Sequence, residues 1–332
     1  PPLGGSRGVP WLEWGRRRVV CFVLDASVFY ICGLVLYSPD FIYLPGLLVI
    51  SALSLFLFTA VAGRLWCGYA CPQTVYTEIF LWIEHKVEGD RSARMRLDGM
   101  PMSLEKLVKK WFKHILWGMV AAWTGFTFVG YFTPVRELGL AFLQTQMGSW
   151  EVFWVFFYGF ATYGNAGFMR EQVCKYMCPY ARFQSAMFDK DTLIVTYDGA
   201  RGEPRGPRSR QADPAALKLG ACIDCTLCVQ VCPTGIDIRK GLQYECIGCG
   251  ACADICDKVM DKMGYARGLV KYSTQHAVEQ GWTRAQTFRH VLRPRVLIYT
   301  AILADISVAV AVSLALRRPL EGDVCGHRGA RA

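Results

Sequence analysis

Cys222-Ile223-Asp224-Cys225-Thr226-Leu227-Cys228-Val229-Gln230-Val231-Cys232-Pro233 is followed by Cys246-Ile247-Gly248-Cys249-Gly250-Ala251-Cys252-Ala253-Asp254-Ile255-Cys256, one four-cysteine spacing written twice. A cubane iron–sulfur cluster takes four thiolates at tetrahedral corners. A C-x2-C-x2-C loop wraps three of them, and a distant cysteine supplies the fourth. In two-cluster ferredoxins the last cysteine of each run serves the other cluster. The spacing therefore predicts two 4Fe–4S clusters. Cys222, Cys225, Cys228 and Cys256 form one ligand set, and Cys246, Cys249, Cys252 and Cys232 form the other. Zinc would take two C-x2-C pairs, or pairs completed by histidine. Cysteines this close also suit metals better than a disulfide framework. Asp257 stands where the second run would carry the counterpart of Pro233, at a position that is not a ligand.

The rest of the chain is far more apolar than this module. Of 332 residues, 53% are hydrophobic and only 19% charged, and the mean hydropathy is +0.23. Such values describe a membrane protein with a polar module attached. Its net charge of +10 then marks cytoplasmic loops rather than nucleic-acid binding. Iron–sulfur clusters imply a reducing compartment for the module. No secretory signal peptide is visible, and the start at Pro1, without Met, suggests that the natural N-terminus lies upstream.

Four stretches read as membrane helices: Phe41–Ala62, Ile115–Phe132, Val152–Phe168 and Val296–Leu316, each near the ~20 residues a bilayer needs. Val19–Tyr37 is ambiguous: it is either one helix of a tight hairpin or a partly buried segment at the outer surface. The segment Gly63–His114 holds nine Lys and Arg, whereas Thr133–Trp150 holds only Arg136. The positive-inside rule places the first segment and the cysteine module in the cytoplasm. The expected fold is thus mostly α, with polytopic membrane helices and an inserted cytoplasmic two-cluster ferredoxin-like module. The domains run 1–197 (membrane), 198–220 (linker, rich in Pro, Gly and Arg), 221–262 (module), 263–295 (cytoplasmic return), 296–316 (last span) and 317–332 (outer tail).

A second cysteine repeat lies outside the module. Cys67-Gly68-Tyr69-Ala70-Cys71-Pro72 follows the first span, and Cys174-Lys175-Tyr176-Met177-Cys178-Pro179 follows the third; both read C-x3-C-P. The two pairs therefore sit at one membrane depth. Pro72 and Pro179 fit the first position of a helix, which puts Cys71 and Cys178 at helix N-termini, where the dipole favours thiolate. Arg64, Lys175 and Arg182 act in the same sense. Four such sulfurs could bind a soft metal such as Cu(I) or cycle between dithiol and disulfide. Met169 and Met177 are candidate thioether ligands. Taken singly, each pair could equally be a structural turn with buried free cysteines. The remaining features carry less. His85, His114, His276 and His290 read as interfacial, and Cys21 and Cys32 as filler. Val75, Ile79, Trp82 and Ile83 suggest an amphipathic helix flat on the membrane. Asp25 and Asp305 stand out as acids in or near apolar spans.

Several intervening words carry a resemblance. Gly63-Arg64-x-Trp66-Cys67-Gly68-Tyr69-x-Cys71-Pro72-Gln73-Thr74-Val75, Glu88-Gly89-Asp90-Arg91, Cys178-Pro179-Tyr180-Ala181-Arg182-Phe183-Gln184-Ser185 and Cys222–Lys262 resemble the CcoG (also FixG or RdxA) family, over roughly the whole chain. The resemblance implies a bacterial inner-membrane, multi-pass protein that assists assembly of cbb-type cytochrome c oxidase by reducing Cu(II) to Cu(I). Cys67, Cys71, Cys174 and Cys178 match the family's C-x3-C-P cysteines. Family members carry one more N-terminal membrane helix and a periplasmic immunoglobulin-like domain. Neither is found here, and the tail bearing Cys325 and His327 is unfamiliar.

The combined expectation is a membrane-bound iron–sulfur electron-transfer protein, a copper-reducing oxidoreductase. Electrons arrive from an unidentified cytoplasmic donor, and oxidase assembly factors are the partners. A quinol-linked conduit to a periplasmic reductase is one rival. A non-catalytic iron–sulfur sensor or scaffold is the other.

Overall fold

The computed structural model describes residues 42–210, 217–282 and 284–316, together with short strands between residues 13 and 36. Strands β1 (Glu13–Trp14) and β2 (Arg17–Arg18) pair antiparallel. Strands β3 (Val20–Val23), β4 (Val28–Ile31) and β5 (Leu34–Leu36) form an antiparallel meander. This corrects the helical-hairpin reading of Val19–Tyr37. Valine, isoleucine, phenylalanine and tyrosine dominate these segments, and such side chains fit a pleated sheet. Asp25, Cys32, Cys325 and His327 lie outside the described residues.

The body is helical. Helices α1 (Tyr43–Ala62), α2 (Leu65–Tyr69), α3 (Pro72–Glu88), α4 (Arg91–Gly99), α5 (Leu104–Val129), α6 (Val135–Leu143) and α7 (Ser149–Gly164) follow in order. Two π-helical turns, Asn165–Met169 and Val173–Met177, lead into α8 (Pro179–Met187). The cysteine module adds α9 (Leu227–Gln230) and α10 (Ala251–Met263), and α11 (Pro294–Leu316) is the last element described.

Among the described residues only α1 and α11 are long and apolar enough to cross a membrane. Almost none of either is buried within the protein, so their apolar surfaces need lipid or another protein. They pack on each other through a 2.8 Å hydrogen bond between Tyr43 Oη and Ser313 Oγ. The other two expected spans, Ile115–Phe132 and Val152–Phe168, overlap α5 and α7 but run past the ends of both helices. Helix α5 begins well before Ile115, with a Ser103 cap and a lysine-rich first half. Helix α7 is only 16 residues long. The two pack tightly because Gly125 leaves no room for a Cβ: one there would lie 2.2 Å from the Val155 carbonyl oxygen. Small residues serve close helix contacts in this way.

Helix α3 does not lie free on a surface as expected. Its Phe80 and Ile83 are buried against Trp117 and Ala166. The Trp117 indole stacks on Phe80 at 4.9 Å and donates to the Phe80 carbonyl. Next to this core Glu84, 5% exposed, meets Arg94 and Arg170 at 2.6 Å each and Lys113 at 3.8 Å. Removing one partner from a buried network of this kind costs about 3–5 kcal/mol, because an uncompensated charge is left behind. The network matters for the site because Arg170 has a left-handed backbone, φ 33°, and joins the two π-helical turns. Glu84 thereby ties α3 to the turn that carries Cys174.

The module is framed by β6 (Ile194–Tyr197) and β7 (Val270–Ser273), antiparallel with Val195 opposite Tyr272. Its sheet therefore starts before the expected linker and ends beyond residue 262. The described part of 198–220 is not a free linker. Arg201 donates to the carbonyls of Ala266 and Arg267. Arg208 donates to Tyr265 Oη and the Gly220 carbonyl. A Pro/Gly/Arg-rich stretch without apolar periodicity looks unstructured, but its guanidinium groups satisfy loop carbonyls instead of solvent.

The module is joined to the helical body at the end of α1. Gly63 turns the chain at φ 57°, and a Cβ there would sit 2.6 Å from the Leu193 carbonyl. The Ala60 carbonyl, one of the unpaired acceptors at a helix end, accepts from Thr192 Oγ1 at 3.2 Å and Arg293 Nη2 at 2.5 Å. Arg293 also pairs with Asp189 at 3.0 Å.

Candidate iron–sulfur and thiol sites

The two C-x2-C-x2-C loops bend alike. Asp224 and Thr226 in the first loop, and Gly248 and Gly250 at the matching places in the second, all have left-handed backbones, φ 53° to 75°. Their surroundings explain the change of residue. A Cβ on Gly248 would lie 3.3 Å from the Arg64 backbone, and one on Gly250 would lie 2.5 Å from Tyr272 Oη. The second loop is covered by other elements and needs glycine. In the first loop Cys225 is exposed, and Asp and Thr accept the strain.

The eight module cysteines line two cavities. Cys222, Cys225, Cys228 and Cys256 face one, with Tyr197, Val259 and Met260. Cys232, Cys246, Cys249 and Cys252 face the other, which Cys228 also borders. Burial pushes the Cys249 and Cys256 thiols up to about 11 and Cys252 up to about 12, and neighbouring cysteines push in the same direction. Sulfurs gathered with few competing oxygen or nitrogen donors form a soft ligand set, and two such sets of four suit iron–sulfur clusters.

The C-x3-C-P sulfurs form a third gathering. Cys71 caps α3 with Pro72 behind it, and Cys178 caps α8 with Pro179 behind it. Cys67 lies in α2 and Cys174 in the second π-helical turn. Electrostatic reach links all four: Cys71 and Cys174 act on Cys67, and Cys71 and Cys178 act on Cys174. Cys67 and Cys174, the first cysteine of each pair, are pushed up to about 11. Burial is the main cause and outweighs Arg64. Cys67 Sγ donates to Gln184 Oε1 at 3.3 Å, and its carbonyl accepts from Thr74 Oγ1 at 2.6 Å. Gln184 is fully buried, and its Nε2 has no partner. Met169 and Met177, the candidate thioethers, are 36% and 56% exposed, whereas the four thiols are half-buried. Among the described residues no three His, Cys, Asp or Glu side chains are grouped tightly enough for a single metal ion.

The thiol site abuts the second cysteine loop. A Cβ on Gly68, inside the first C-x3-C-P turn, would lie 2.8 Å from Cys249 Cα and 2.9 Å from its amide nitrogen. Tyr69 and Tyr272 hydroxyls meet at 3.0 Å, and Tyr272 donates to the Gly248 carbonyl at 2.8 Å. Gly68, Gln184 and Tyr272 escape spacing arguments, because their importance comes from contacts between distant segments. The one local signal is the glycine between Cys67 and Cys71.

The comparisons with known proteins agree with this chemistry. A family model described as a 4Fe-4S dicluster domain matches residues 169–275, and one described as a 4Fe-4S binding domain matches residues 44–88. The chain is 39% identical to the nitrogen fixation protein FixG of Rhizobium meliloti, covering 96% of this chain and 67% of FixG. It is 41% identical to protein RdxA of Cereibacter sphaeroides, covering 93% of this chain and 66% of RdxA. A more distant match is the ferredoxin-type protein NapH of Haemophilus influenzae, 25% identical over 69% of each chain. No solved structure matches. The fold and thiol sites define an iron–sulfur electron-transfer protein. The chain belongs to the FixG/RdxA family, and it spans about two thirds of the length of the curated relatives it matches.

Proposed function

We propose that this protein is a membrane-bound oxidoreductase that reduces Cu(II) to Cu(I) at Cys67, Cys71, Cys174 and Cys178. In this reading Cys222, Cys225, Cys228 and Cys256 hold one 4Fe–4S cluster, and Cys232, Cys246, Cys249 and Cys252 hold the other. Bound there, the clusters supply single electrons, one for each copper ion reduced. The observation that carries the reading is the contact of the Gly68 turn, between Cys67 and Cys71, with the Cys249 backbone, which supports electron passage from the second ligand loop to the C-x3-C-P thiols. Soft sulfur ligands favour Cu(I) over Cu(II), so the same thiols that receive the ion make its reduction easier. The exposed Cys225 edge is where a cytoplasmic donor would deliver electrons. The cbb-type oxidase and its assembly factors, to which the family resemblance points, are the proposed recipients of Cu(I). The test is anaerobic: the dithionite-reduced full chain, freed of excess dithionite, is mixed with Cu(II) and a Cu(I) chelator. Stoichiometric Cu(I) is expected, and none would overturn the reading.

Crossed ligation is testable separately. Cys232→Ser should bleach the cluster signal that Cys246→Ser also removes and spare the one that Cys222→Ser removes. A Cys232→Ser variant that instead loses the Cys222-dependent signal reverses the assignment.

The proposed setting is the bacterial inner membrane with the module inside, following the asymmetry of Lys and Arg. Reporter fusions at Arg205 and Gly139 should report opposite sides. The same side for both would refute the arrangement.

A second reading has its own support. The four thiols are not grouped for a single ion, and the 44–88 match is to a 4Fe-4S binding domain. They would then hold a third cluster in a pure electron conduit, the quinol-linked alternative. Iron analysis separates the two: three clusters per chain favours the conduit, and two favours copper.

A further inference from the structure

Arg64 touches both the second cysteine loop and the segment of the second C-x3-C-P pair. It is 4% exposed. Its Nη1 donates to the carbonyls of Tyr244 and, at 3.4 Å, Cys246. Its Nη2 donates to the carbonyl of Ala181, three residues past Cys178. Its Nε is buried without a partner. The guanidinium also lies 5.9 Å from the Phe188 ring. Burial works against the charge, while Cys67, Cys246, Cys174 and Cys178 all lie close enough to support it.

A buried cation with an unfilled donor is costly unless negative charge is meant to arrive beside it. Thiolates loaded with metal bring that charge, and each added electron brings more. The fork geometry also explains the choice of residue: a planar guanidinium can bond carbonyls from two separate segments at once, which a lysine ammonium does less rigidly. We propose that Arg64 is a positioning residue that raises the reduction potential of the centre held by Cys232, Cys246, Cys249 and Cys252 and couples it to charge on the C-x3-C-P thiols. This rests on the reading of those four cysteines as cluster ligands.

The test uses the full chain, purified anaerobically and loaded with iron, with each cluster signal followed by electron paramagnetic resonance at fixed redox poise. In Arg64→Gln, one of the two signals should titrate at more negative potential, with its reduced-to-oxidised ratio at a given poise lowered about tenfold, or about 59 mV for one electron. The signal lost in Cys222→Ser should not move. Arg64→Lys should recover most of the shift. If Arg64→Gln fails to hold iron, Phe188→Glu carries the test, because a carboxylate there opposes the guanidinium without removing its hydrogen bonds. The same one-cluster shift is expected from it. Two signals with unmoved potentials in iron-replete Arg64→Gln or Phe188→Glu overturn the role of Arg64 alone. A wild-type chain that shows no two cluster signals overturns the parent reading, and this one with it.

Discussion

Cys67→Ser and Cys174→Ser should each keep both module clusters and lose Cu(II) reduction by about a hundredfold or more. Loss of a mere outer partner of a metal ligand costs 10–100-fold, and these variants remove a ligand itself. The two thiols come from different helical turns yet lie within mutual electrostatic reach, so removing either opens the same site. Part of the loss is thermodynamic. Each tenfold preference for Cu(I) over Cu(II) is worth about 1.4 kcal/mol in favour of reduction, and serine oxygen, a harder donor, gives that preference away. The measurement is Cu(I) formed per reduced chain, alongside iron content. Wild-type copper reduction in either variant would sink the shared site. Loss of a third of the iron would transfer the site to the conduit reading.

Gly68→Ala should separate electron delivery from cluster binding. The new methyl would lie 2.8 Å from Cys249 Cα and 2.9 Å from the Gly248 carbonyl oxygen. Both neighbours are backbone and cannot swing aside. The second loop is held by its own ligands, and the Gly68 turn is held by the Thr74 hydrogen bond to the Cys67 carbonyl, so the two surfaces must part. Overpacking of this kind costs about 1–3 kcal/mol. A displacement of about 1 Å in a reacting geometry can cost 10²-fold in rate. The expected variant keeps its iron and its Cu(I) affinity, and it passes electrons to copper on the order of a hundredfold more slowly in stopped-flow measurements. Unchanged transfer in a fully loaded variant would show that this contact is not the electron route.

The cysteine chemistry was largely legible in the sequence because covalent spacing constrains it. Three thiols in seven residues can close around three corners of a cluster only in certain ways, and the structure gathers the eight module sulfurs around two cavities. The C-x3-C-P pairs were legible by repetition alone. The burial that raises Cys67 and Cys174 was not legible, because it depends on how α2, α8 and the second π-helical turn pack. Periodicity misjudged α3, whose apolar face could serve lipid or protein equally well; Trp117, 37 residues from Phe80, decides it. Composition misjudged 198–220, where arginines bond carbonyls that sequence cannot locate. Val19–Tyr37 stayed open between a helix and a surface segment for a simpler reason: a run of β-branched and aromatic residues of that length fits a span or a meander.

The closure at Ala60 has a consequence for how the protein is made. That one carbonyl is claimed by Thr192 and by Arg293, 132 and 233 residues further along the chain. Helix α1 is therefore made well before the residues that complete its end, and before α11, which pairs with it through Tyr43 and Ser313. Everything between them, both ligand loops included, must be synthesised before the first helix is sealed. The α1–α11 contact is thus, by the order of the chain alone, a late event of synthesis that follows both cysteine loops.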